Sequence, residues 1–364
     1  MNDKTISRRT FSKAAGGVLI ASSAVLGRAG HTAPNDKLNI ASVGVGGKGG
    51  GDVKDVSTEN IIALCDVDDH RTAGMFERFP KAKKFKDFRV MFDQMENEID
   101  AVTVSTPDHC HAVAVMQAIK RNKHVFCQKP LCHSIWETRM VTEAAQKQGI
   151  QTQMGNQGHS SDQIRELCEW VDDGAIGEIR EVYAWSDRPV GGHPWSTFAV
   201  RSRPEETPPI PDFLDWDLWL GPAPYRPYHP AYCPTKWRAW LDFGTGAIGD
   251  MGCHIMDPAF WALDLGSPEY VEATTTHWEE DVASETYPRA AIVRYQFPAK
   301  GNRPPVRLTW FDGRLKPPTP DILSPKVNLG TNGALYIGED GAIIHGSHGA
   351  GGLRILPEEK NKSY

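Results

Sequence analysis

The sequence lacks the features expected of a nucleic-acid-binding or membrane-spanning protein. Its 364 residues contain no long block of lysine and arginine, and the formal net charge is -6 at pH 7. Because nucleic-acid phosphates are bound by clustered positive charge, nucleic acid is not an expected partner. No segment reaches the roughly 18 uncharged apolar residues of a membrane-spanning helix. With 40% hydrophobic residues, the chain is long enough to form two domains with buried cores.

A disulfide framework and a bound metal are also not expected. The seven cysteines form no C-x-x-C pair, and we interpret them as core thiols. His109 and His111 are two residues apart on a strand-to-helix turn, with no companion cysteine or carboxylate at metal-ligand spacing.

The N-terminus has the pattern of a twin-arginine export signal. Ser7-Arg8-Arg9-Thr10-Phe11-Ser12-Lys13 is followed by a weakly apolar run, Ala14 to Leu26, and then by Gly27-Arg28-Ala29. This order predicts export with cleavage after Ala29, and we exclude residues 1–33 from the fold as signal peptide and linker.

Short apolar strands alternate with helical patterns over the first half of the chain. This alternation is typical of a parallel sheet with helices on both faces, and it predicts an α/β domain over residues 38–158. Helices fit His109–Arg121 and Ile135–Gln148. The predicted strands are Leu38–Val43, Asn60–Cys65, Ala101–Ser105, His124–Cys127 and Gln151–Met154.

A second pattern begins after about Gly174, where longer strands are separated by few helices. It predicts an α+β domain over residues 159–364 with an open, mostly antiparallel sheet. A proline- and tryptophan-rich insertion, about Pro189 to Pro234, is expected to form an ordered loop over the site. The predicted strands are Glu178–Asp187, Tyr270–Trp278, Ala290–Phe297, Val306–Trp310 and Ala334–Ile337.

A glycine-rich loop directly follows the first predicted strand. Gly44-x-Gly46-x-x-Gly49, with Gly47 between, matches the Rossmann dinucleotide fingerprint in its proper strand-to-helix context. Gly44 permits the tight turn, and Gly46 allows the backbone to approach a pyrophosphate at the helix N-terminus. Gly49 allows close packing of helix and strand.

A carboxylate at the end of the next strand indicates which dinucleotide is bound. Asp66 follows the loop by about 20 residues, the position that accepts hydrogen bonds from the adenosine ribose. Its charge would repel a 2′-phosphate, so the sequence favours NAD over NADP.

The ends of the next strands carry the other candidate cofactor contacts. Parallel strands present their carboxyl ends to the ligand, so both segments should face the nicotinamide half of the cofactor. The candidates there are Ser105, Thr106, Pro107, His109, His111, Gln128 and Lys129.

Asp250 and His254 form a further candidate pair in the second domain. They are four residues apart at the start of a predicted helix and therefore share one face. An enzyme that oxidises an alcohol needs a base for the hydroxyl proton, and histidine suits this role. Asp250 would either orient the imidazole or hold a second hydroxyl group.

Together these motifs resemble the glucose–fructose oxidoreductase, inositol dehydrogenase and MocA (Gfo/Idh/MocA) family. The resemblance is carried by the glycine loop, Asp66, Thr106-Pro107-Asp108-His109-x-His111, Lys129-Pro130 and Asp250-x-x-x-His254. It runs from about Leu38 to Tyr364.

The resemblance implies specific roles for several residues. Lys129, Asp250 and His254 would meet over the nicotinamide as the catalytic group, and Asn156 and Gln157 would contact the nicotinamide side. Many members have glutamate where this chain has Gln128. Related exported members also continue past the point that corresponds to Tyr364, so closing elements of the second domain are expected to be absent. Members often form dimers or tetramers through the second sheet.

The expected substrate is a sugar, a sugar derivative or a cyclitol. Lys129 would stabilise the developing alkoxide and His254 would accept the hydroxyl proton while hydride leaves for the nicotinamide. Substrate contacts are expected from Lys129, Asp250 and His254, and from His193 and Trp195 in the insertion, because aromatic faces with polar edges suit a sugar ring.

Export narrows the choice of reaction. Free nicotinamide nucleotide is scarce outside the inner membrane, so a folded, exported enzyme would carry its cofactor tightly bound and reset it in every cycle. Three functions are therefore compatible with the sequence. They are a sugar oxidoreductase, an NAD-dependent glycosidase or lyase that works through a transient 3-keto sugar, and a non-catalytic sugar-binding homologue.

Overall fold

The computed structural model describes residues 36–189, 203–276, 284–323 and 327–364. The predicted export signal lies outside these residues, as do the two proposed substrate contacts His193 and Trp195. Within the described ranges, no helix is both long and apolar enough to cross a membrane. The same ranges contain no cluster of three or more side chains suited to hold a metal ion.

The first domain is a six-stranded parallel sheet with helices on its faces. Its strands are β1 (Asn39–Val43), β2 (Asn60–Cys65), β3 (Lys83–Phe85), β4 (Ala101–Val104), β5 (His124–Gln128) and β6 (Thr152–Gly155). Its helices are α1 (Lys48–Asp55), α2 (Asp69–Arg78), α3 (Phe88–Met95), α4 (Asp108–Lys120) and α5 (Ile135–Gln148). The strand order is β3-β2-β1-β4-β5-β6.

The strand order determines where a ligand can bind. From β1 the chain proceeds to β2 and β3 on one side, and then crosses back to place β4 on the other side of β1. The loops after β1 and β4 therefore diverge and leave a crevice at the carboxyl ends of the strands.

The second domain is a seven-stranded mixed sheet covered by helices on one face. Its strands are β7 (Glu181–Trp185), β8 (Tyr270–Thr275), β9 (Ala291–Phe297), β10 (Val306–Phe311), β11 (Gly333–Ile337), β12 (Ala342–His345) and β13 (Arg354–Leu356). Its helices are α6 (Asp162–Asp172), α7 (Trp216–Leu220), α8 (Gly246–Ile255), α9 (Asp257–Ala262) and α10 (Glu358–Ser363). The order is β13-β12-β11-β7-β10-β9-β8, and every neighbouring pair except β7 and β10 is antiparallel.

The core of the second domain orients the helix that carries Asp250 and His254. Ile255 of α8 and Ala259 of α9 are fully buried in one cluster with Leu308 and Trp310 of β10. Burying such side chains contributes roughly 1.5–3 kcal/mol each, so α8 is held firmly against the sheet.

The predicted fold class is confirmed, and the apolar strands lie within a few residues of their predicted bounds. The sequence did not reveal β3, which has only three residues, two of them lysines. The short strands β12 and β13 and the helices α2 and α3 were also not predicted.

The described part of the insertion builds a small aromatic core together with the residues that follow it. Trp216 stacks on Trp219 with ring centroids 4.8 Å apart, and Tyr232 packs edge-on against Trp240 at 4.7 Å. Most of these aromatic side chains are therefore packing residues rather than ligand contacts. Trp219 also lines the cleft described below.

Candidate active site

The candidate active site is a cleft of about 540 Å³ at the carboxyl edge of the first sheet, closed on its other side by the second domain. Most of the sequence-predicted residues line it: Gly44, Gly46, Gly47, Asp66, Ser105, Thr106, Pro107, Gln128, Lys129, Gln157, Asp250 and His254. Four others do not line it: Gly49, His109, His111 and Asn156.

The glycine loop has the close packing that a dinucleotide cradle requires. Gly44 adopts a φ of +77°, and a Cβ atom there would lie 2.7 Å from the backbone of Ser105. A Cβ on Gly49 would lie 1.9 Å from the Gly44 carbonyl oxygen, which explains why this position supports the loop without lining the cleft. Both positions exclude a side chain, as the fingerprint predicts.

Asp66 is tied to the glycine loop by its own carboxylate. Its Oδ2 accepts hydrogen bonds from the backbone N–H groups of Val45 at 2.7 Å and Gly46 at 3.2 Å. Its Oδ1 accepts one from Asp68 N at 3.0 Å. Burial raises the pKa of Asp66, although these backbone donors oppose the shift. Asp66 thus shapes the loop as well as lining the cleft.

A buried polar network lies beneath the loop. Asp52 of α1 accepts hydrogen bonds from Ser105 Oγ at 2.7 Å and from Gln128 Nε2 at 3.0 and 3.1 Å. Lys48 forms an ion pair with the same carboxylate. The network joins α1 to the ends of β4 and β5.

Two histidines assigned to the cofactor from the sequence are supports instead. His109 is buried, with its ring nitrogens 3.3 Å from Phe243 O and 3.1 Å from Trp219 O. His111 is also buried, and its ring nitrogens lie 2.8 Å from Pro130 O and from Thr106 O. Because backbone carbonyls engage these nitrogens, the two side chains brace the strand ends and do not reach the cleft.

Lys129 and Asp250 meet across the two domains. Lys129 Nζ donates to the backbone oxygen of Asp250 at 2.7 Å and to its Oδ1 at 3.1 Å. The predicted association of these two residues, which are 121 positions apart, is therefore present in the structure.

Two arginines that the sequence analysis did not identify complete this cluster. Arg238 Nε lies 3.3 Å from Asp250 Oδ1, and Arg188 Nη1 lies 3.3 Å from Oδ2. Burial alone would raise the pKa of Asp250, but the positive charges of Lys129, Arg238 and Arg188 outweigh it and lower the pKa to about 2. Arg188 directly follows the predicted strand Glu178–Asp187 and is the third residue after β7, so the sequence could have indicated its position near a strand end.

His254 is oriented by Asn156. The Asn156 Nδ2 donates to Cys253 O at 2.7 Å, which leaves its Oδ1 to accept from His254 Nδ1 at 3.0 Å. The proton of the neutral imidazole therefore lies on Nδ1, and Nε2 has a free lone pair. Burial, followed by the charge of Lys129, lowers the pKa of His254 to about 3. Asn156 thus positions a catalytic candidate instead of lining the cleft.

A second imidazole, from the loop between β12 and β13, was not predicted. His348 lines the cleft, and its ring centroid is 4.1 Å from that of His254. Its loop is anchored by Ser161 Oγ, which donates to Gly349 O at 2.6 Å. The only sequence signal is a histidine inside the glycine-rich run Gly346-Ser347-His348-Gly349.

Two family models match consecutive parts of the chain. The NAD-binding Rossmann-fold domain of the Gfo/Idh/MocA oxidoreductase family matches residues 38–156, and the C-terminal α/β domain of that family matches residues 161–298. The cofactor is thus NAD, and the cradle formed by Gly44, Gly49 and Asp66 suits it.

Curated relatives match only part of the chain. Inositol 2-dehydrogenase from Rubrobacter xylanophilus is 32% identical over 149 residues, which are 39% of this chain and 42% of the relative. Levoglucosan dehydrogenase from Pseudarthrobacter phenanthrenivorans is 22% identical over 219 residues, 59% of this chain and 45% of the relative. The chain therefore matches less than half the length of these relatives.

Solved structures share the fold over most of the chain. The WlbA dehydrogenase from Bordetella pertussis, in complex with NADH and UDP-GlcNAcA, has a TM-score of 0.59 at 16% identity and covers 85% of this chain and 80% of its own. The aldose-aldose oxidoreductase from Caulobacter crescentus, complexed with glycerol, has a TM-score of 0.57 at 18% identity, covering 88% and 80%.

Proposed function

Because the chain belongs to the Gfo/Idh/MocA family of oxidoreductases, we propose that it oxidises a secondary hydroxyl group of a sugar, a sugar derivative or a cyclitol with NAD. The observation that carries this proposal is the contact of Lys129 with Asp250, one turn of helix before His254, in the cleft that the glycine loop opens. The names of the relatives, which act on inositol and levoglucosan, support a polyhydroxylated ring as substrate.

Each side chain has a different role in the proposed oxidation. When bound, NAD supplies the hydride acceptor. Lys129 places an ammonium group where negative charge develops on the substrate oxygen, which makes the hydroxyl proton easier to remove. His254, neutral and with Nε2 unprotonated, is placed to receive that proton; its pKa of about 3 makes it a weak base, so the proton transfer depends on the stabilisation of the alkoxide by Lys129. Asp250 holds the ammonium group in place through the 3.1 Å contact.

The test is a screen of purified protein with NAD and a panel of sugars, cyclitols and glycosides. The proposal expects reduced nicotinamide, or a ketone product, with at least one polyol. Release of an aglycone without net redox change would instead favour the glycosidase or lyase function. Binding of sugar without either product would identify a non-catalytic homologue.

We further propose that the protein is exported with its cofactor bound. The support is the pairing of Arg8 and Arg9 with a dinucleotide-binding domain. Cell fractionation should find the wild type outside the inner membrane and the Arg8→Lys/Arg9→Lys variant in the cytoplasm. Equal distribution of the two proteins would refute this.

We also propose that copies of the chain associate through the second sheet. The support is β8, an edge strand on which all six residues are exposed, including Tyr270 and Val271. Sedimentation equilibrium should show a dimer or tetramer that Val271→Lys weakens. A wild-type protein that sediments as a monomer would refute it.

A further inference from the structure

The substrate end of the cleft has more positive charge than its carboxylates balance. Lys129, Arg188 and Arg238 line it, and all three contact the single carboxylate of Asp250 at 3.1–3.3 Å. Asp108 is the second carboxylate that lines this end. Among the described residues that line this end, three cations therefore face two carboxylates, and a third carboxylate, Asp187, pairs with Arg188 from outside the lining.

The second carboxylate has a hydrogen-bond partner of its own within the protein. Asp108 is buried and accepts a hydrogen bond from Thr245 Oγ1 at 2.7 Å. Burial raises the pKa of Asp108, against the attraction of nearby cations. His254 and His348 also face this end, and burial together with Lys129 lowers the pKa of both, so neither adds positive charge at neutral pH.

Arg188 retains unused hydrogen-bonding capacity. Its Nε is buried without a hydrogen-bond partner among the described residues. Asp187 Oδ1, itself buried without a hydrogen-bond partner among the described residues, lies 3.7 Å from this Nε. That is an ion-pair distance but too long for a hydrogen bond, and Asp187 does not line the cleft. Buried guanidinium donors are normally satisfied, so an unpartnered one beside a cleft indicates a missing acceptor.

We infer that the cleft takes an anionic sugar, and that Arg188 binds the anionic group while Lys129 and His254 act on a hydroxyl of the same molecule. The inference rests on the proposed function and specifies its substrate class. A sugar carboxylate, such as a uronate or aldonate, matches the planar fork of arginine and supplies one negative charge, which is the charge that the lining residues lack. A sugar phosphate presents similar chemistry, so the experiment includes both.

The test compares matched compounds that differ only in the anionic group. D-glucuronate, D-glucose and D-glucose 6-phosphate form one set, and D-galacturonate and D-galactose form another. Binding to the NAD-loaded protein is measured by calorimetry, and kcat/KM is measured from the formation of reduced nicotinamide. We expect an anionic member to exceed its neutral partner by about tenfold or more, because charge-assisted hydrogen bonds are the strong ones.

Variants at Arg188 test whether this residue causes the preference for anionic over neutral sugars. Arg188→Gln should bring the ratio of anionic to neutral compound close to one, and Arg188→Lys, which keeps the charge but loses the fork, should give an intermediate ratio. The affinity for NAD should not change in either variant. The matched control is Arg180→Gln, an exposed arginine that precedes β7 and pairs with Glu178.

The outcomes separate this inference from the proposed function. Oxidation of neutral sugars with no anionic preference would keep the function and overturn the inference, as would a preference that Arg188→Gln leaves intact. Arg188-dependent binding of an anionic sugar without turnover would support the anion-binding role of Arg188 and refute the oxidoreductase. If neither kind of sugar binds, the inference is wrong.

Discussion

Gln128 donates its side-chain amide to both carboxylate oxygens of Asp52, at 3.1 and 3.0 Å, and both residues are buried. The Gln128 Oε1 in turn accepts from the backbone N–H of Lys129 at 3.3 Å. The amide therefore connects the helix of the glycine loop to Lys129, the lysine proposed to act in catalysis. Because Asp52 is the hydrogen-bond acceptor of this pair, the side chain at position 128 must supply the hydrogen-bond donor.

Reversing the polarity of position 128 should therefore damage the site. In Gln128→Glu, two carboxylates would face each other at hydrogen-bond distance, which costs about 1–3 kcal/mol when a buried group loses its partner. We expect lower stability in urea unfolding and weaker NAD binding. The defect should grow as pH rises, because the introduced carboxyl group can still donate while it is protonated.

The double variant Asp52→Asn/Gln128→Glu tests whether the pair itself is responsible. The introduced amide would donate to the introduced carboxylate, so stability and NAD affinity should recover much of the loss. Gln146→Glu, an exposed change on α5, controls for added charge. Damage that simply adds in the double variant would show that the two residues do not act as a pair.

Lys129 should be needed for turnover and not for NAD binding. Its ammonium contacts Asp250, and Lys129→Met removes the charge while keeping the apolar stem. We expect kcat to fall by about 10²–10⁴-fold, the range for loss of a catalytic proton-transfer or charge-stabilising group. The dissociation constant for NAD should change only severalfold. Full turnover in Lys129→Met would show that Lys129 takes no part in the mechanism. The matched control is Lys147→Met, on the exposed face of α5.

The pH dependence of activity should reflect the depressed pKa of His254. With a pKa of about 3, this imidazole stays neutral through the usual histidine range, so kcat/KM should show no fall between pH 7 and pH 5 from its protonation. Asn156→Asp would place a carboxylate against Nδ1 and raise the pKa of His254, which should produce an acid limb at higher pH. Asn97→Asp, at an exposed position, should leave the profile unchanged. If the acid limb of kcat/KM lay at the same pH in the wild type and in Asn156→Asp, the hydrogen bond between Asn156 and His254 Nδ1 would be contradicted.

The same histidine should make the fold less stable in acid. The unfolded chain binds a proton at His254 near pH 6.5, whereas the folded protein does not until about pH 3. The unfolded state therefore binds more protons across this window, so the free energy of unfolding falls as pH decreases through it. His254→Gln should show a shallower decline in urea titrations over that range. An unchanged slope would mean that His254 is not held neutral by the fold.

Local sequence signals predicted the strands of the first sheet, the glycine cradle and the Asp250/His254 pair because each depends on residues close in the chain. Gly44 and Gly49 follow a strand at a fixed spacing, and Asp250 and His254 share a helical face. Arg188 and His348 reach the cleft through tertiary packing of the second domain, and no periodicity in the local sequence indicates that packing. His111 was assigned to the cofactor because it follows a strand, but it lies in the first turn of α4. A side chain there can point either into the crevice or beneath it, and only the packed neighbours decide which.

The loop that carries His348 offers a test that leaves the imidazole itself unchanged. Gly349 has a φ of +62°, and a Cβ there would lie 2.8 Å from Ser161 Oγ and 2.9 Å from Gly158 O. Gly352 has a similar φ of +71° but nothing within 4 Å. Gly349→Ala should therefore displace the loop and His348 with it, whereas Gly352→Ala carries only the backbone strain of about 1 kcal/mol. If His348 contacts the substrate, KM should rise in Gly349→Ala and in His348→Ala by a similar factor and stay near wild type in Gly352→Ala. A wild-type KM in all three variants would show that the imidazole of His348 has no part in substrate binding.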